Sequence, residues 1–325
     1  MKKLNIALIG CGKIALSYEG DKKTQRFFNY ITHAQTIKKH PNYHMLIAVD
    51  PLEKQRKLAK EYGFDFVVEN IDALDQKQEI DVLVIATPPN LRFELIKNFP
   101  HVKAIICEKP LAMTLNEAVA IENFCMQNNI ILHVNFWRRY DRSMINLAKG
   151  GLHQKIGHLQ HGFALYGNGL MNNGIHMIDL IDMLVGPIDM IHKMDDEIKD
   201  NPLLDIRLQN HKHISMAPVD FNCYREIYLD LWGQIGRLII AYEGLNIFYY
   251  PKTSNRALEN HYEINMDNVE KYPSGAGDAL YDLYQTVYDD LLSKDSKVQK
   301  KYSDILRLLE QNVSNRRKEW IGDQK

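Results

Sequence analysis

Three small residues near the start of the chain have the types and spacing that let a backbone approach a phosphate group. The apolar run from Leu4 to Ile9 passes directly into Gly10 and Gly12, and Ala15 follows. In a G-x-G-x-x-G/A turn after a strand, the first glycine permits the tight bend, the second lets a pyrophosphate approach, and the third small residue lets the next helix pack closely. The N-terminus of that helix offers N–H groups to the phosphates. The spacing predicts a dinucleotide-binding turn, and a plain tight turn is the alternative.

A second predicted strand ends in an acid that could bind a ribose. The run from Met45 to Val49 is followed by Asp50, and a carboxylate at this place accepts hydrogen bonds from an adenosine ribose and repels a 2′-phosphate. Asp50 therefore favours NAD over NADP. Gly12 and Asp50 are separated by more than the roughly 20 residues that are usual, so we expect an insertion, from Tyr18 to Tyr30. It is either a longer first helix with a disordered bulge or a flap near the cofactor.

Lys109 is a residue that could act on a hydroxyl group. Lys109 follows the apolar run from Val102 to Cys107, and Pro110 after it stiffens the turn. Sites in doubly wound sheets lie beyond the carboxyl ends of the strands, where a charged lysine can polarise an alcohol or carbonyl oxygen. Without further context, a solvated Glu108–Lys109 pair is the alternative.

Composition and charge exclude several classes of protein. The 325 residues suffice for two domains, and contents of 45% hydrophobic and 25% charged residues are ordinary for a globular protein. Because 40 Lys and Arg face 41 Asp and Glu, no strong field attracts nucleic acid or an anionic membrane. The four cysteines are scattered, which predicts reduced thiols rather than disulfides or a zinc site. No apolar run suits a signal peptide or a membrane helix, so we expect a cytoplasmic protein.

Two kinds of periodicity divide the chain. Strand and helix signals alternate through about the first 135 residues, which predicts an α/β fold with a parallel sheet and helices on both faces. Beyond about residue 156, segments such as Glu226 to Leu231 alternate apolar and polar residues, as in an antiparallel sheet with one face covered. The free face of that sheet must be solvated or paired with another subunit.

The order and spacing of these motifs resemble the Gfo/Idh/MocA family of NAD(P)-dependent sugar oxidoreductases. The resemblance rests on the glycine turn, on Ala86 to Asn90 (Ala-Thr-Pro-Pro-Asn), on Glu108 to Pro110 (Glu-Lys-Pro), and on Asn172 to Asp179. It implies a Rossmann domain over residues 1–134 with a doubly wound parallel sheet. It also implies an α+β domain over residues 135–325, whose open, mainly antiparallel sheet covers the active site and often mediates oligomerisation.

The resemblance implies roles for individual residues as well. Lys109 is expected near the nicotinamide and the reacting hydroxyl. His176 is expected to carry the proton, since histidine is the side chain best matched to moving a hydroxyl proton near neutral pH. Without the resemblance, a structural role for His176 is the alternative. The expected cofactor-binding residues are Gly10, Gly12, Lys13, Ile14, Asp50, Thr87, Pro88, Asn90, Glu108 and Lys109. The expected substrate-binding residues are Arg139, Asn172 and Tyr166.

Three of these expectations have alternatives. Arg139 could bind a carboxylate or phosphate through its planar fork, or it could pair with a nearby acid. Tyr166 could line a substrate pocket or serve as a turn residue. Asn172 stands where the family commonly has aspartate, and an amide holds a hydroxyl without carrying charge. Asparagine here resembles the branch that acts on nucleotide-linked amino sugar acids, and it leaves room for a weakened activity. No metal site is expected, because His176 and Asp179 alone are too few ligands.

The expected function is an NAD(H)-dependent oxidoreductase acting on a secondary hydroxyl or ketone of a sugar, sugar acid or nucleotide-linked sugar. Lys109 would polarise the oxygen and His176 would relay the proton. One alternative is an enzyme that holds NAD tightly and uses it transiently for net elimination or epimerisation. Another is a non-enzymatic NAD(H)-binding sensor or scaffold. The expected partners are a carbohydrate or nucleotide-sugar substrate and further copies of the chain, as a homodimer or homotetramer.

Overall fold

The structure is a computed structural model that describes residues 3–18, 22–74, 79–194, 200–293 and 301–311. The chain divides into two compact units, Met1–Tyr140 with Gly277–Ser303 and Asp141–Ala276 with Asp304–Lys325. The sequence-based boundary lay between residues 134 and 135, whereas residues 135–140 and 277–303 group with the first unit. Within the described ranges, no helix is both long and apolar enough to cross a membrane.

Six strands form the sheet of the first unit. In chain order they are β1 (Leu4–Ile9), β2 (Tyr43–Val49), β3 (Phe66–Val68), β4 (Val82–Ile85), β5 (Ala104–Cys107) and β6 (Ile131–Val134). Their order across the sheet is β3-β2-β1-β4-β5-β6, and every neighbouring pair is parallel. This is the doubly wound order whose ligands bind beyond the carboxyl ends of the strands, where the winding reverses between β1 and β4. The predicted α/β fold of this part is confirmed.

The helices range from five to 15 residues, and the first four alternate with the strands of this sheet along the chain. They are α1 (His33–Lys39), α2 (Glu53–Tyr62), α3 (Arg92–Ile96), α4 (Leu115–Gln127), α5 (Arg142–Asn146), α6 (Leu152–Ile156), α7 (Ile175–Val185) and α8 (Ala279–Ser293). Residues 302–311 are also helical. The first unit contains α1 to α4 and α8. A side-chain N-cap opens α4, where Thr114 Oγ1 accepts from the backbone N–H of Glu117 over 3.3 Å.

The core of the first unit explains why its strands read as continuous apolar runs. Ile6 and Leu8 of β1 are fully buried, and so is Val84 of β4, because a parallel sheet is covered on both faces. The late helix α8 joins this core. Its backbone carbonyl at Tyr284 accepts from the hydroxyl of Tyr43 on β2 over 2.7 Å.

The predicted insertion between Tyr18 and Tyr30 is irregular in its described part. After the glycine turn, the chain makes a single π-helical turn over Lys13–Ser17 and a 3-10 turn over Thr24–Arg26, and α1 begins only at His33. Residues 19–21 lie outside the described ranges. The described residues therefore do not form a longer first helix. The alternative of a flap near a cofactor stays a prediction.

Nine strands form the sheet of the second unit. They are β7 (Leu159–Tyr166), β8 (Ile188–Lys193), β9 (Leu204–Leu208), β10 (His213–Pro218), β11 (Tyr228–Gly233), β12 (Gly236–Ala241), β13 (Asn246–Ser254), β14 (Tyr262–Ile264) and β15 (Glu270–Pro273). Their order is β14-β13-β12-β11-β7-β10-β9-β8, and β15 also pairs with β13. The pair of β7 and β10 is parallel and the other pairs are antiparallel. The predicted mainly antiparallel sheet is confirmed.

The two faces of this sheet differ in the way the alternation predicts. Leu229 and Leu231 of β11 are fully buried, whereas the next residue, Trp232, is partly exposed. Asp230 lies on the same face as Trp232, and its two carboxylate oxygens accept from Arg237 of β12 over 2.9 and 2.7 Å. This ion pair is largely shielded from solvent.

Candidate functional site

Gly10 and Gly12 form the turn after β1, and their surroundings differ. Gly10 has φ +88°, and an added Cβ would lie 2.9 Å from the carbonyl carbon and oxygen of Ala86 after β4. At Gly12, no described atom lies within 4 Å of the Cβ position. The bend and the neighbouring strand require the first glycine, and the second leaves open space, as a dinucleotide turn needs. Lys13 and Ile14 follow in the π-helical turn.

Asp50 joins the end of β2 to the glycine turn. Its Oδ2 accepts from the backbone N–H of Cys11 over 2.7 Å, and its Oδ1 accepts from the N–H of Leu52 over 2.8 Å. The residue is 7% exposed. A carboxylate offers about four acceptor positions, so each oxygen retains capacity for a ribose hydroxyl. The guanidinium of Arg56 lies beside it and donates to the carbonyls of Asp50 and Pro51.

The Thr87 turn follows β4 and adjoins the glycine turn. The backbone N–H of Ala86 donates to the carbonyl of Ile9 over 2.9 Å, which places the two strand ends side by side. Thr87 Oγ1 is buried, and no hydrogen-bond partner for it occurs among the described residues. Pro88 and Asn90 are exposed on the same turn. A buried hydroxyl without a protein partner is a position where a bound ligand or water would complete the hydrogen bonding.

Glu108 is held in a buried network beside Lys109 at the end of β5. Its Oε1 accepts from Asn135 Nδ2 over 2.6 Å and lies 3.0 Å from Nε2 of His33. The other ring nitrogen of His33 lies 2.8 Å from the hydroxyl of Tyr284. Helix α1 and the residue after β6 therefore contact the Glu108 carboxylate directly, and α8 contacts it through His33. Glu108 immediately precedes the candidate lysine, Lys109.

The network sets the charge of Glu108. Burial alone would raise the pKa of this carboxyl, but the hydrogen bond and charge of His33, the hydrogen bond of Asn135 and the charge of Lys109 together lower it. Glu108 is therefore a buried carboxylate at neutral pH. Burial raises the pKa of Tyr284 well above its usual range, so that its hydroxyl stays neutral.

Arg139 lies in the 3-10 turn Trp137–Tyr140 that follows β6. Its backbone N–H donates to the carbonyl of Phe136 over 2.9 Å. The neighbouring Arg138 is buried, and its guanidinium lies 4.3 Å from the centre of the Trp137 ring. Arg139 thus lies at the carboxyl end of a strand in the first unit, as Lys109 does. Its contact with a substrate stays a prediction.

Three predicted site residues lie in the second unit, in the segment that runs from the end of β7 into α7. Asn172 lies in the π-helical turn Leu170–Gly174, and His176 lies in the first turn of α7 and is 7% exposed. Tyr166 at the end of β7 is fully buried, and its hydroxyl donates to the carbonyl of Pro202 over 2.6 Å. Its burial and its hydrogen bond indicate a packing role for Tyr166. A role in lining the substrate pocket stays a prediction, which the burial does not support.

Arg92 and His33 belong to this site but are not expected from the sequence. Arg92 is 2% exposed, and its guanidinium donates to backbone carbonyls of the Thr87 and Glu108 turns. His33 is fully buried against Glu108. In the sequence, each of the two residues is only a polar residue on a short helix that follows a candidate turn. Among the described residues, no group of three or more His, Cys, Asp or Glu side chains could hold a metal ion.

The residues at the carboxyl edge of the first sheet fit a nicotinamide dinucleotide. The open space at Gly12, the spare acceptor positions of Asp50 and the buried hydroxyl of Thr87 lie after β1, β2 and β4 respectively. Glu108 and Lys109 follow β5, the next strand across the sheet. These are the strand ends at which doubly wound sheets bind such ligands.

Comparison with known proteins agrees with this geometry. Residues 4–136 match the model of the Gfo/Idh/MocA oxidoreductases, a family with an NAD-binding Rossmann fold. Inositol 2-dehydrogenase of Rhizobium meliloti is 28% identical over 130 residues, which are 39% of this chain and 39% of that protein. The 2,7-anhydro-N-acetylneuraminate hydratase of Mediterraneibacter gnavus is 28% identical over 117 residues, 34% of this chain and 31% of the hydratase. The chain thus aligns with less than half the length of these curated relatives.

The fold comparison covers both units. The crystal structure of an oxidoreductase from Agrobacterium radiobacter, in complex with NAD+, L-tartaric acid and magnesium, superposes with a TM-score of 0.71. It is 18% identical, and the match covers 97% of each chain. At this identity the likeness supports the fold. The family match confirms the resemblance inferred from the motifs and agrees with the predicted NAD cofactor. Residues 4–136 thus carry the NAD-binding Rossmann fold of the Gfo/Idh/MocA oxidoreductases, the family whose model they match.

Proposed function

We propose that the chain is an NAD(H)-dependent oxidoreductase that acts on a secondary hydroxyl or ketone of a sugar, sugar acid or nucleotide-linked sugar. One observation carries the proposal. The open glycine turn, the Asp50 carboxylate and the Glu108–Lys109 turn follow β1, β2 and β5 at the carboxyl edge of one parallel sheet. A binding turn, a ribose acceptor and a lysine next to a buried carboxylate are the parts that such an enzyme needs there.

The residues that would hold the dinucleotide are Gly10, Gly12, Lys13, Ile14, Asp50, Thr87, Pro88, Asn90, Glu108 and Lys109. When bound, the nicotinamide supplies the group that accepts or donates the hydride, while the protein supplies binding and orientation. Asp50 supports a preference for NAD, because a carboxylate there repels a 2′-phosphate.

Lys109 and His176 carry the proposed chemistry on the oxygen. The ammonium of Lys109, beside the Glu108 carboxylate, stabilises negative charge that develops on the alcohol or carbonyl oxygen. His176 accepts the hydroxyl proton during oxidation and returns it during reduction, as a histidine can near neutral pH. Asn172 and Arg139 are the proposed substrate contacts, through an amide and a guanidinium respectively.

The substrate class follows from the relatives together with these side chains. A relative named inositol 2-dehydrogenase acts on a polyol by its name. A guanidinium such as that of Arg139 suits a carboxylate or phosphate on the substrate. We therefore place polyols, sugar acids and nucleotide-linked sugars in the first substrate panel.

The test is turnover by the full chain with NAD or NADH and that panel. Lys109→Ala and His176→Ala should each reduce kcat by about 10²- to 10⁴-fold, the usual contribution of a positioned acid–base group. Lys103→Ala is the matched control, because Lys103 is an exposed lysine that pairs with Asp81 at the other end of β5. Full turnover of Lys109→Ala would rule out its assigned role. Tight NADH binding with no turnover on any substrate would instead favour a sensor or scaffold.

A second candidate is an enzyme that retains NAD and uses it transiently for a net elimination or epimerisation. The observation that favours it is the relative named as a hydratase, because hydration involves no net oxidation of the substrate. Nucleotide that stays bound through purification, together with substrate conversion at a constant concentration of free NADH, would support this second candidate. Net NADH formation in step with substrate loss would select the dehydrogenase.

The open sheet of the second unit supports a homodimer or homotetramer. Phe163 of β7 is 47% exposed on the face that also carries Trp232 and the Asp230–Arg237 pair. An aromatic face of this kind is stabilised when a second copy covers it. We also propose a cytoplasmic location, since Cys11, Cys107, Cys125 and Cys223 are free thiols.

A further inference from the structure

The buried cation Arg92 is not used by the proposed chemistry, yet it contacts both turns on which that chemistry depends. It is the first residue of α3 and is 2% exposed. Its Nε and Nη2 donate to the carbonyl of Thr87 over 3.1 and 2.7 Å. Its Nη1 donates to the carbonyls of Glu108 and Pro110. One guanidinium thus bridges the backbone after β4 and the backbone after β5.

The choice of arginine here needs a reason beyond packing. Burial of a cation is costly, and a well-packed apolar residue would fill the same volume at lower cost. The hydrogen bonds of Arg92 are to neutral backbone carbonyls, which offset that cost only in part. The planar guanidinium can bind several carbonyl groups at fixed angles to one another, which an apolar side chain cannot do.

Those carbonyls flank the candidate lysine on both sides. Glu108 and Pro110 are the residues immediately before and after Lys109, and both of their carbonyls bind the same guanidinium nitrogen. The N–H of Glu108 donates to the carbonyl of Ile85 over 2.9 Å, so the turn is also tied to the end of β4. The backbone that carries Lys109 is therefore held on each side.

We propose that Arg92 is a positioning residue, which fixes the Glu108–Pro110 turn against the Thr87 turn and thereby aims Lys109. The proposal rests on the function proposed above, since it assigns Arg92 an effect that acts through Lys109. A displacement of about 1 Å in a catalytic group can reduce a rate by about 100-fold. Loss of the fork should therefore lower kcat even when the chain remains folded.

The experiment compares Arg92→Lys, which keeps a cation without the fork, with Arg92→Met, which keeps the volume without charge. Lys97→Met is the control, because Lys97 is a cation at the far end of α3 and pairs only with Glu94 and the Phe93 ring among the described contacts. Both Arg92 variants should lower kcat by about 10- to 100-fold. The control should keep wild-type turnover.

A double-mutant cycle tests whether the effect passes through Lys109. Arg92→Lys is combined with Lys109→Met in the full chain, and the residual turnover is measured. We expect no further loss from Arg92→Lys once Lys109 is absent. A second loss of the same size in that background would overturn the positioning role, because Arg92 would then act on something else.

A measurement that needs no turnover separates this proposal from the proposed function. Hydrogen exchange of the peptide around residues 105–112 should be at least about tenfold faster in Arg92→Met than in the wild type, since a charge-assisted hydrogen bond contributes about that much locally. Unchanged exchange in both Arg92 variants would overturn the proposal even if the wild type is an active dehydrogenase. Faster exchange in Arg92→Met, together with a wild-type chain that is inactive, would uphold the role of Arg92 in holding the turn and reject the proposed function.

Discussion

The backbone N–H of Cys11 donates to Oδ2 of Asp50 over 2.7 Å, so that one carboxylate joins the glycine turn to the end of β2. The contact explains how an acid placed after a second strand can shape a turn that lies 39 positions earlier in the chain. It also means that Asp50 stabilises the turn in addition to its proposed contact with the ribose.

Asp50→Asn should shift cofactor preference toward NADP. The amide removes the negative charge that repels a 2′-phosphate, and the guanidinium of Arg56 lies alongside to receive it. NADH affinity should fall about tenfold or more, as expected for a hydrogen bond to a charged group. Fluorescence titration with NADH and NADPH measures both affinities. Asp72→Asn, a change in a separate 3-10 turn, is the control, and equal losses for both nucleotides would contradict the ribose contact.

Gly12→Ala and Gly10→Ala should separate binding from folding. A methyl group at Gly12 meets no described atom within 4 Å, so thermal stability should be unchanged while the space for the phosphates is occupied and nucleotide affinity falls. At Gly10 the methyl group would meet the carbonyl of Ala86 at 2.9 Å, and the chain itself should be destabilised. Thermal melting and NADH titration distinguish the two cases. Unimpaired NADH binding by Gly12→Ala would place the phosphates elsewhere.

The sequence predicted the parts of this site that depend on local pattern. The glycine turn and the strand end at Asp50 follow from apolar runs and small residues, and the order of motifs predicted the family whose model matches residues 4–136. Arg92 could not be predicted, because its acceptors are backbone carbonyls of two separate turns, which have no side-chain signature. The role of Tyr166 likewise depends on Pro202, a residue from a distant segment that covers its hydroxyl.

The position of the domain boundary also depends on tertiary contacts that the sequence pattern does not show. The apolar periodicity of residues 278–292 predicts a helix, and α8 forms over Ala279–Ser293. Periodicity does not indicate which unit the helix joins. That choice depends on tertiary partners, since Tyr284 of α8 binds His33 and Tyr43 in the first unit.

Glu108→Gln should make stability less sensitive to acid. The folded pKa of Glu108 lies below its ordinary value, which is about 4.3 in an unfolded chain. The carboxylate therefore stabilises the fold above about pH 4.3, and this contribution is lost as pH falls through the folded pKa. Urea unfolding should show the largest difference between wild type and Glu108→Gln at neutral pH, shrinking in acid. Glu53→Gln, at an exposed pair with Lys57, should show a much smaller difference, and a pH-independent gap for Glu108→Gln would contradict the lowered pKa.

Tyr166→Phe should affect stability more than activity. The buried hydroxyl donates to Pro202, and its removal leaves that carbonyl without this donor, at a cost of about 1 kcal/mol in the free energy of unfolding. Because the residue is fully buried, KM for the substrate should stay at the wild-type value. Urea unfolding and steady-state kinetics check the two effects. A large rise in KM with unchanged stability would support the predicted role of Tyr166 in binding the substrate.

Phe163→Asp should dissociate the proposed oligomer. Phe163 is 47% exposed and lies opposite Asp230 on β11, so a new carboxylate would stand near the existing carboxylate of the Asp230–Arg237 pair on this face. In a two-fold symmetric interface the change occurs twice, and each buried charge without a partner is costly. Light scattering after gel filtration should show the wild type as a dimer or tetramer and the variant as a smaller species. Leu258→Asp, at a residue 58% exposed in the loop between β13 and β14, should keep the wild-type mass, and a Phe163→Asp chain that also kept it would show that this face is not the interface.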